Sequence, residues 1–189
     1  MAKSLSEMSN EELWELFPII IEKHNPIWKE NYSIEKSIIE KTIGVDNIVR
    51  MNHFGSTCIP NLFAKPTIDI LLEIAKDTDT EKLISDMQSI NYVYTPQPTN
   101  PPPHIMLMKG YTPNGFIGQT YHVHIRYAGD WDELHFRDYL LAHPEIAEEY
   151  GKLKVELQKK YTCDRNGYTD AKSDFIYRIT SLAKENNQK

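Results

Sequence analysis

An α+β fold is the class this sequence predicts: a mixed sheet of about five strands flanked by helices, with a helical C-terminal part. Three observations carry that expectation. Apolar residues recur at helical spacing at both ends of the chain, the middle switches to extended alternation, and one helical stretch interrupts the strands. The 189 residues, 40% hydrophobic and 25% charged, supply core material for one domain spanning 1–189.

The elements follow in order. Ser9 and Glu12 have capping-box spacing, and Leu13, Leu16, Phe17 and Ile20 then form a short amphipathic helix that breaks at "HNP", residues 24–26. A second helix opens at Asn25-Pro26, carries Trp28, Ile34, Ile38 and Ile39, and stops at Gly44. "NIVRMNHF" and "TIDILLEI" read as strands on either side of a loop. "DTEKLISDMQSI" has the cap and length of a crossover helix leading to the strand "NYVYT". "PQPTNPPP" is too rich in proline for either element and is expected as exposed loop. "HIMLMKG" and "QTYHVHIRY" form a strand pair joined by "YTPNGFIG". From Trp131 onward three helices are expected. The second carries a stripe of Ile146, Tyr150, Leu153 and Leu157, and the last runs through "TDAKSDFIYRITSLAKE" with Ala171, Phe175, Ile179 and Leu182.

The formal charge of −6 argues against a protein that binds phosphate backbones or anionic membrane through clustered Lys and Arg, so a nucleic-acid partner is not expected. The N-terminal stretch is acidic where a signal peptide needs an apolar run, and no segment is apolar enough to span a membrane, which predicts a cytoplasmic protein. Cys58 and Cys163 match no metal or redox spacing and read as free thiols. The oligomeric state stays open.

The stretch "HFGSTCIPNLFAKPTIDILLEI", residues 53–74, concentrates the chemistry. Its first part, through Ile70, resembles the signature of the GrpB family: a strand ending in His-x-Gly-Ser-Thr, a Val/Ile-Pro-Gly-Leu loop, Ala-Lys-Pro, and a strand carrying Asp. "NPIWKENY", "YHVHI", "FRDYLLAHPEIAEEYGKLK" and "YTDAKSDFI" agree with the family in order, so the resemblance covers nearly the whole chain. It implies a nucleotidyltransferase-like fold, of the superfamily that includes DNA polymerase beta. A similar domain is fused to dephospho-coenzyme A kinase in some proteins, which points toward nucleotide or coenzyme A chemistry. Asn61 stands where the family has Gly, and Asn is the other residue that tolerates left-handed backbone.

Gly55 lets a backbone approach a phosphate closely, and the Ser56 hydroxyl can donate to it, although Gly-Ser also suits a plain turn. Thr57 adds a second hydroxyl or caps the turn. Lys65 neutralises phosphate charge, pairs with Asp69, or is a solvated loop lysine. Asp69 interrupts an apolar strand, a costly place for a carboxylate unless it is paired, hydrogen-bonded or metal-bound, while alternation also permits a solvent face shared with Leu71 and Glu73. The related nucleotidyltransferases hold divalent metal with two acids two residues apart, but here the second position is Leu71. Glu73 lies roughly 13 Å farther along the strand. A metal site must then be rebuilt from another strand or be missing. His122 and His124 share one strand face and can grip one ion, Mg, Mn or Zn, with imidazole favouring the transition metals; alternatively they hydrogen-bond in a polar cleft. Arg126 continues that face and offers a guanidinium to phosphate, or is a surface residue. His53 lines the cleft or is a satisfied core histidine. Arg137 and Asp138 pair with each other or reach the cleft, and Tyr168 and Lys172 share a helix face beside it.

Three functions follow as expectations. One is a nucleotidyltransferase-like enzyme acting on a nucleotide or related phosphorylated small molecule, with Asp69 as its catalytic residue. The second is a non-catalytic module binding a nucleotide or coenzyme A-related ligand. The third is a metal-dependent hydrolase built on Asp69, His122 and His124.

Overall fold

Strands β1 (Arg50–His53) and β2 (Thr67–Ile74) pair antiparallel, and β2 pairs parallel with β5 (Gly115–Tyr127), which lies between it and β4 (Ile105–Thr112). With β3 (Val93–Thr95) on the far edge, the five-stranded mixed sheet has the order β1-β2-β5-β4-β3. The computed structural model describes residues 3–97 and 100–187, so part of the expected "PQPTNPPP" loop, residues 98–99, lies outside the described residues. Among those described, no helix is long and apolar enough to cross a membrane.

The two faces of the sheet are chemically opposite because β2 alternates. Ile68, Ile70, Leu72 and Ile74 pack with Val123, Ile125 and Leu107 against α2 (Ile27–Ile43) and α3 (Thr80–Ser89), through Trp28, Ile39, Ile43, Leu83 and Met87. Fully burying each such side chain contributes on the order of 2 kcal/mol, and this face holds the larger of the two apolar clusters. The other face presents Asp69, Leu71 and Glu73 beside His122, His124 and Arg126, in direct register. It is covered by α4 (Asp132–Ala142), α5 (Pro144–Lys160), α6 (Arg165–Ala171) and α7 (Ser173–Asn187), and Leu140, Ala147, Tyr150 and Ile179 of these helices cluster with Ile59 and Leu62 of the β1–β2 loop.

Several element ends differ from expectation for local reasons. Helix α1 spans Asn10–Leu16 with the expected Ser9 capping box, but ends before Phe17 because Pro18 pushes its predecessor out of helical geometry; Ile20 therefore lies outside it. On α2 the buried face is Trp28, Glu35, Ile39 and Ile43, whereas Ile34 is 52% exposed. Glu35 replaces the expected isoleucine because Tyr92 and Lys109 donate hydrogen bonds to its carboxylate at 3.0 and 2.8 Å. The β4–β5 strands run farther than expected, with Thr112 opposite Gly115 across a two-residue turn. The last expected helix is two, α6 and α7. At their junction the Lys172 N–H bonds to the carbonyls of Thr169 and Asp170 and breaks the α-helical ladder. Asn61 takes φ +62°, as its place in the loop requires.

Glu73 sits on the polar face with its side chain 1% exposed and is held by a two-pronged ion pair with Arg50 and by the Gly129 N–H at 3.1 Å. This ties β1 to the turn that follows β5. Arg50→Ala should cost about 2 kcal/mol, below the range of a fully buried pair because Arg50 is half exposed. Urea denaturation monitored by circular dichroism measures that loss.

Candidate functional site

Register brings Asp69 directly opposite His122, and the next same-face position on β5 is His124. His122 Nδ1 lies 3.2 Å from Asp69 Oδ1, and His124 Nε2 lies 3.8 Å from the same oxygen. One ligand atom from each of the three residues falls within 4.8 Å of the others. Sequence alternation indicated shared faces within each strand; strand pairing unites the two faces.

The network determines the state of His122. The Asp69 carboxylate only accepts, so Nδ1 carries the proton; Nε2 then accepts from the Tyr111 hydroxyl at 2.8 Å. Tyr111 reaches His122 because the β4–β5 register shifts by three residues between Lys109 and Tyr111, at Gly110 with φ +90°, where β5 carries the extra residues. Burial pushes the Asp69 carboxyl up, but the hydrogen bonds and charges of His122 and His124 outweigh it and hold it well below the usual carboxylate range. Burial pushes His122 down, partly offset by its bond to Asp69. Around neutral pH the site is an ionised carboxylate beside a neutral His122.

Gly55 has a role that its sequence context did not suggest. Its φ is −69°, ordinary for any residue, yet an added Cβ would lie 2.7 Å from Asp69 Cβ and 2.8 Å from its Cγ. The glycine makes room for the carboxylate. Ser56, next in the chain, borders both chambers of the cleft.

The inner chamber has a volume of about 140 Å³ and is bordered by Ser56, Asp69, His122 and three lysines, Lys65, Lys154 and Lys172. Burial lowers Lys65 to about 8, with Lys172 and Arg165 adding repulsion. It also lowers Lys172, against the pull of Asp69. Lys154 is 3% exposed and is lowered well below its ordinary value, again chiefly by burial. The outer chamber, about 430 Å³, shares Ser56, Asp69, Tyr150 and Lys172 and adds Phe54, Phe136, Ile176 and His124.

Other expected residues lie elsewhere. His53 pairs with Ile70 on the apolar side of the sheet, stacks on Tyr32 at 4.8 Å and donates to Thr57 Oγ1 at 2.8 Å, so it is a core histidine outside the cleft. Thr57 is buried and donates to the Thr67 carbonyl, which leaves its hydroxyl engaged inside the turn. Arg126 stands opposite Glu73, roughly 13 Å along the strand from the Asp69 level. Its guanidinium donates to the Ile125 carbonyl and lies 5.8 Å from the centre of the Trp131 ring. Arg137 binds Asp138, Asn52 and the His53 carbonyl, clasping α4 to β1. Tyr168 is buried, with the Lys172 ammonium 4.8 Å from its ring centre. The sequence did not mark Lys154 or Tyr111 as cleft residues, and Tyr150 was expected only as part of the helix stripe. The signal for Lys154 was a lysine on the stripe of Ala147, Tyr150 and Gly151, the buried face of α5, which shares Tyr150 with the expected stripe.

The fold and cleft define a mixed α+β protein whose sheet sets an Asp-His-His cluster under a helical cover lined by lysines. The chain belongs to the GrpB family, described as GrpB protein, whose model matches residues 18–182. It is 32% identical over 165 residues to the "Glutamate-rich protein GrpB" of Alkalihalophilus pseudofirmus, covering 85% of this chain and 93% of that one. A UPF0157 protein of Pseudomonas aeruginosa is 32% identical over 160 residues, covering 84% of this chain. The chain spans 65% of that relative's length, and 46% of the length of the UPF0157 protein YqkA of Bacillus subtilis, which is 34% identical over 164 residues. The crystal structure of the conserved protein GrpB from Enterococcus faecalis superposes with a TM-score of 0.78 at 30% identity, covering 90% of this chain and all of that one.

Two predictions follow. Gly55→Ala should cost about 2 kcal/mol by overpacking, and the loss should shrink when Asp69→Ala is made in the same chain; denaturation of the four forms of that cycle measures the coupling. Burial holds His53 at about 4 against its ordinary 6.5. Between those values the unfolded chain binds a proton that the folded chain refuses, so stability falls as pH drops through that window. His53→Gln should flatten that limb of a plot of melting temperature against pH.

Proposed function

We propose that the protein is an enzyme of nucleotidyl or phosphoryl transfer acting on a nucleotide or related phosphorylated small molecule. The observation that carries this reading is the convergence of Asp69, His122 and His124 at the mouth of a lysine-lined chamber. One carboxylate and two imidazoles suit a transition ion such as Zn or Mn better than Mg, so the donor set fits a divalent metal. Bound there, such an ion would polarise a phosphoryl oxygen.

The chain's own groups have definable parts. His122 would ligate through Nδ1 as its Nε2–H tautomer, the ring losing the Nδ1 proton and taking one up at Nε2 through solvent, and Nε2–H would then donate to Tyr111 and orient the ring. Ser56 and Lys65 would hold phosphate oxygens in the inner chamber, and the apolar walls of the outer chamber would take the organic part. Leu71, fully buried, stands where the related nucleotidyltransferases have a second acid, which favours chemistry with one ion over chemistry with two. Transfer could then end on an acceptor hydroxyl or on water.

One observation favours the non-catalytic module instead: both nitrogens of His122 are already engaged. Thermal shift separates the two readings. Mn or Zn should raise the melting temperature of the wild type by a few degrees, nucleotides and coenzyme A precursors should add to that shift, and Asp69→Asn should abolish the metal response. A ligand whose stabilisation needs no metal and survives Asp69→Asn would sink the transfer mechanism.

A further inference from the structure

Lys154 is the least satisfied polar group near the cleft. It projects from the buried face of α5, is 3% exposed, and its Nζ has no hydrogen-bond partner among the described residues; it lies over the face of Tyr150, 4.4 Å from the ring centre. An ammonium buried without a partner costs several kcal/mol, more than contact with an aromatic face returns. Its neighbours around the inner chamber deepen the imbalance. Lys65 enters from the residue pair before β2 and Lys172 from the α6–α7 junction, so three separate elements aim lysines at one space of about 140 Å³. Asp69 supplies the one carboxylate bordering it.

We propose that this chamber is a binding site for the dianionic terminal phosphoryl group of a phosphomonoester, with Lys154 as its innermost ligand. The assignment deepens the reading of the cleft as a site for phosphorylated ligands and names the end of the ligand that enters first. Size permits it: the chamber, about 140 Å³, has space for one phosphoryl group with its bridging oxygen. Charge supports it as well. Three lysines border the chamber with one carboxylate, a dianion there would favour their protonated forms, and three terminal oxygens offer one acceptor to each lysine. A phosphodiester has neither the second charge nor a third terminal oxygen. The outer chamber shares Ser56, Asp69, Tyr150 and Lys172 with the inner one, so a single esterified body can extend outward from it.

The test is calorimetric titration of the metal-free protein, in chelator, with inorganic phosphate and with dimethyl phosphate. Phosphate should bind at least about tenfold tighter than dimethyl phosphate, and Lys154→Met should weaken phosphate by at least about tenfold. Because that substitution removes an unpartnered buried polar group, its melting temperature should equal or exceed that of the wild type; Lys172→Met is the second variant and should also weaken phosphate. Asp69→Asn, which removes the carboxylate facing the anion, should bind phosphate as well as the wild type or better. Loss of the metal response with phosphate binding intact would therefore leave this site standing while the metal reading fell. No phosphate binding, equal binding of the two probes, or undiminished affinity in both lysine variants would overturn the assignment.

Discussion

Everything in this molecule that resembles a working site depends on one pairing, the parallel register between β2 and β5. Asp69 stands opposite His122, Leu71 opposite His124 and Glu73 opposite Arg126. A slip by one residue would turn the histidines to the apolar face and bury them among Ile68, Ile70 and Leu72, where they would find neither a carboxylate nor space. The register is held from both sides. The apolar residues of the same two strands pack under α2 and α3, and the β4–β5 irregularity at Gly110 brings Tyr111 onto His122. The energy of the apolar face thus pre-positions the polar one.

The polar face buries charge in two distinct ways. At Glu73 the charge is fully answered by Arg50 and the Gly129 amide, and the result is structural. Glu35, on the opposite side, is likewise closed by Lys109 and Tyr92. In the cleft the accounts stay open: Lys154 lacks a hydrogen-bond partner, and Asp69 is shared by two imidazoles. Buried groups left incompletely satisfied cluster where function is expected, because a ligand can complete them. Gly55 belongs to the same logic, since it clears the volume that the Asp69 carboxylate fills.

How far the sequence showed all this varies residue by residue. Asp69, His122 and His124 were legible because a charged or polar side chain at a fixed alternation on an apolar strand is a local pattern. His53 was not, because the side of the sheet it faces depends on its pairing with Ile70. Arg126 shares the histidines' face as its spacing indicated, yet strand length carries it to the far end, under Trp131. Thr57 and Arg137 carry donors that could serve a ligand, but nearby backbone and side-chain acceptors engage them. On α2 and α5, apolar counting chose Ile34 and Leu153 where the buried stripes contain Glu35 and Lys154, since hydropathy cannot register a charge that a distant partner, or an absent ligand, would satisfy.

By itself the sequence determined the kinds and order of the elements, the family, and which residues share a face within each strand or helix. Those features follow from backbone geometry, capping and periodicity, which act over a few residues. Only the tertiary structure decided that β5, about fifty residues after β2, would lie beside it, that four helices would close over the polar face, and that lysines from three separate elements would meet at one small chamber. Such meetings result from the summed burial and pairing of the whole chain, and no local spacing encodes them.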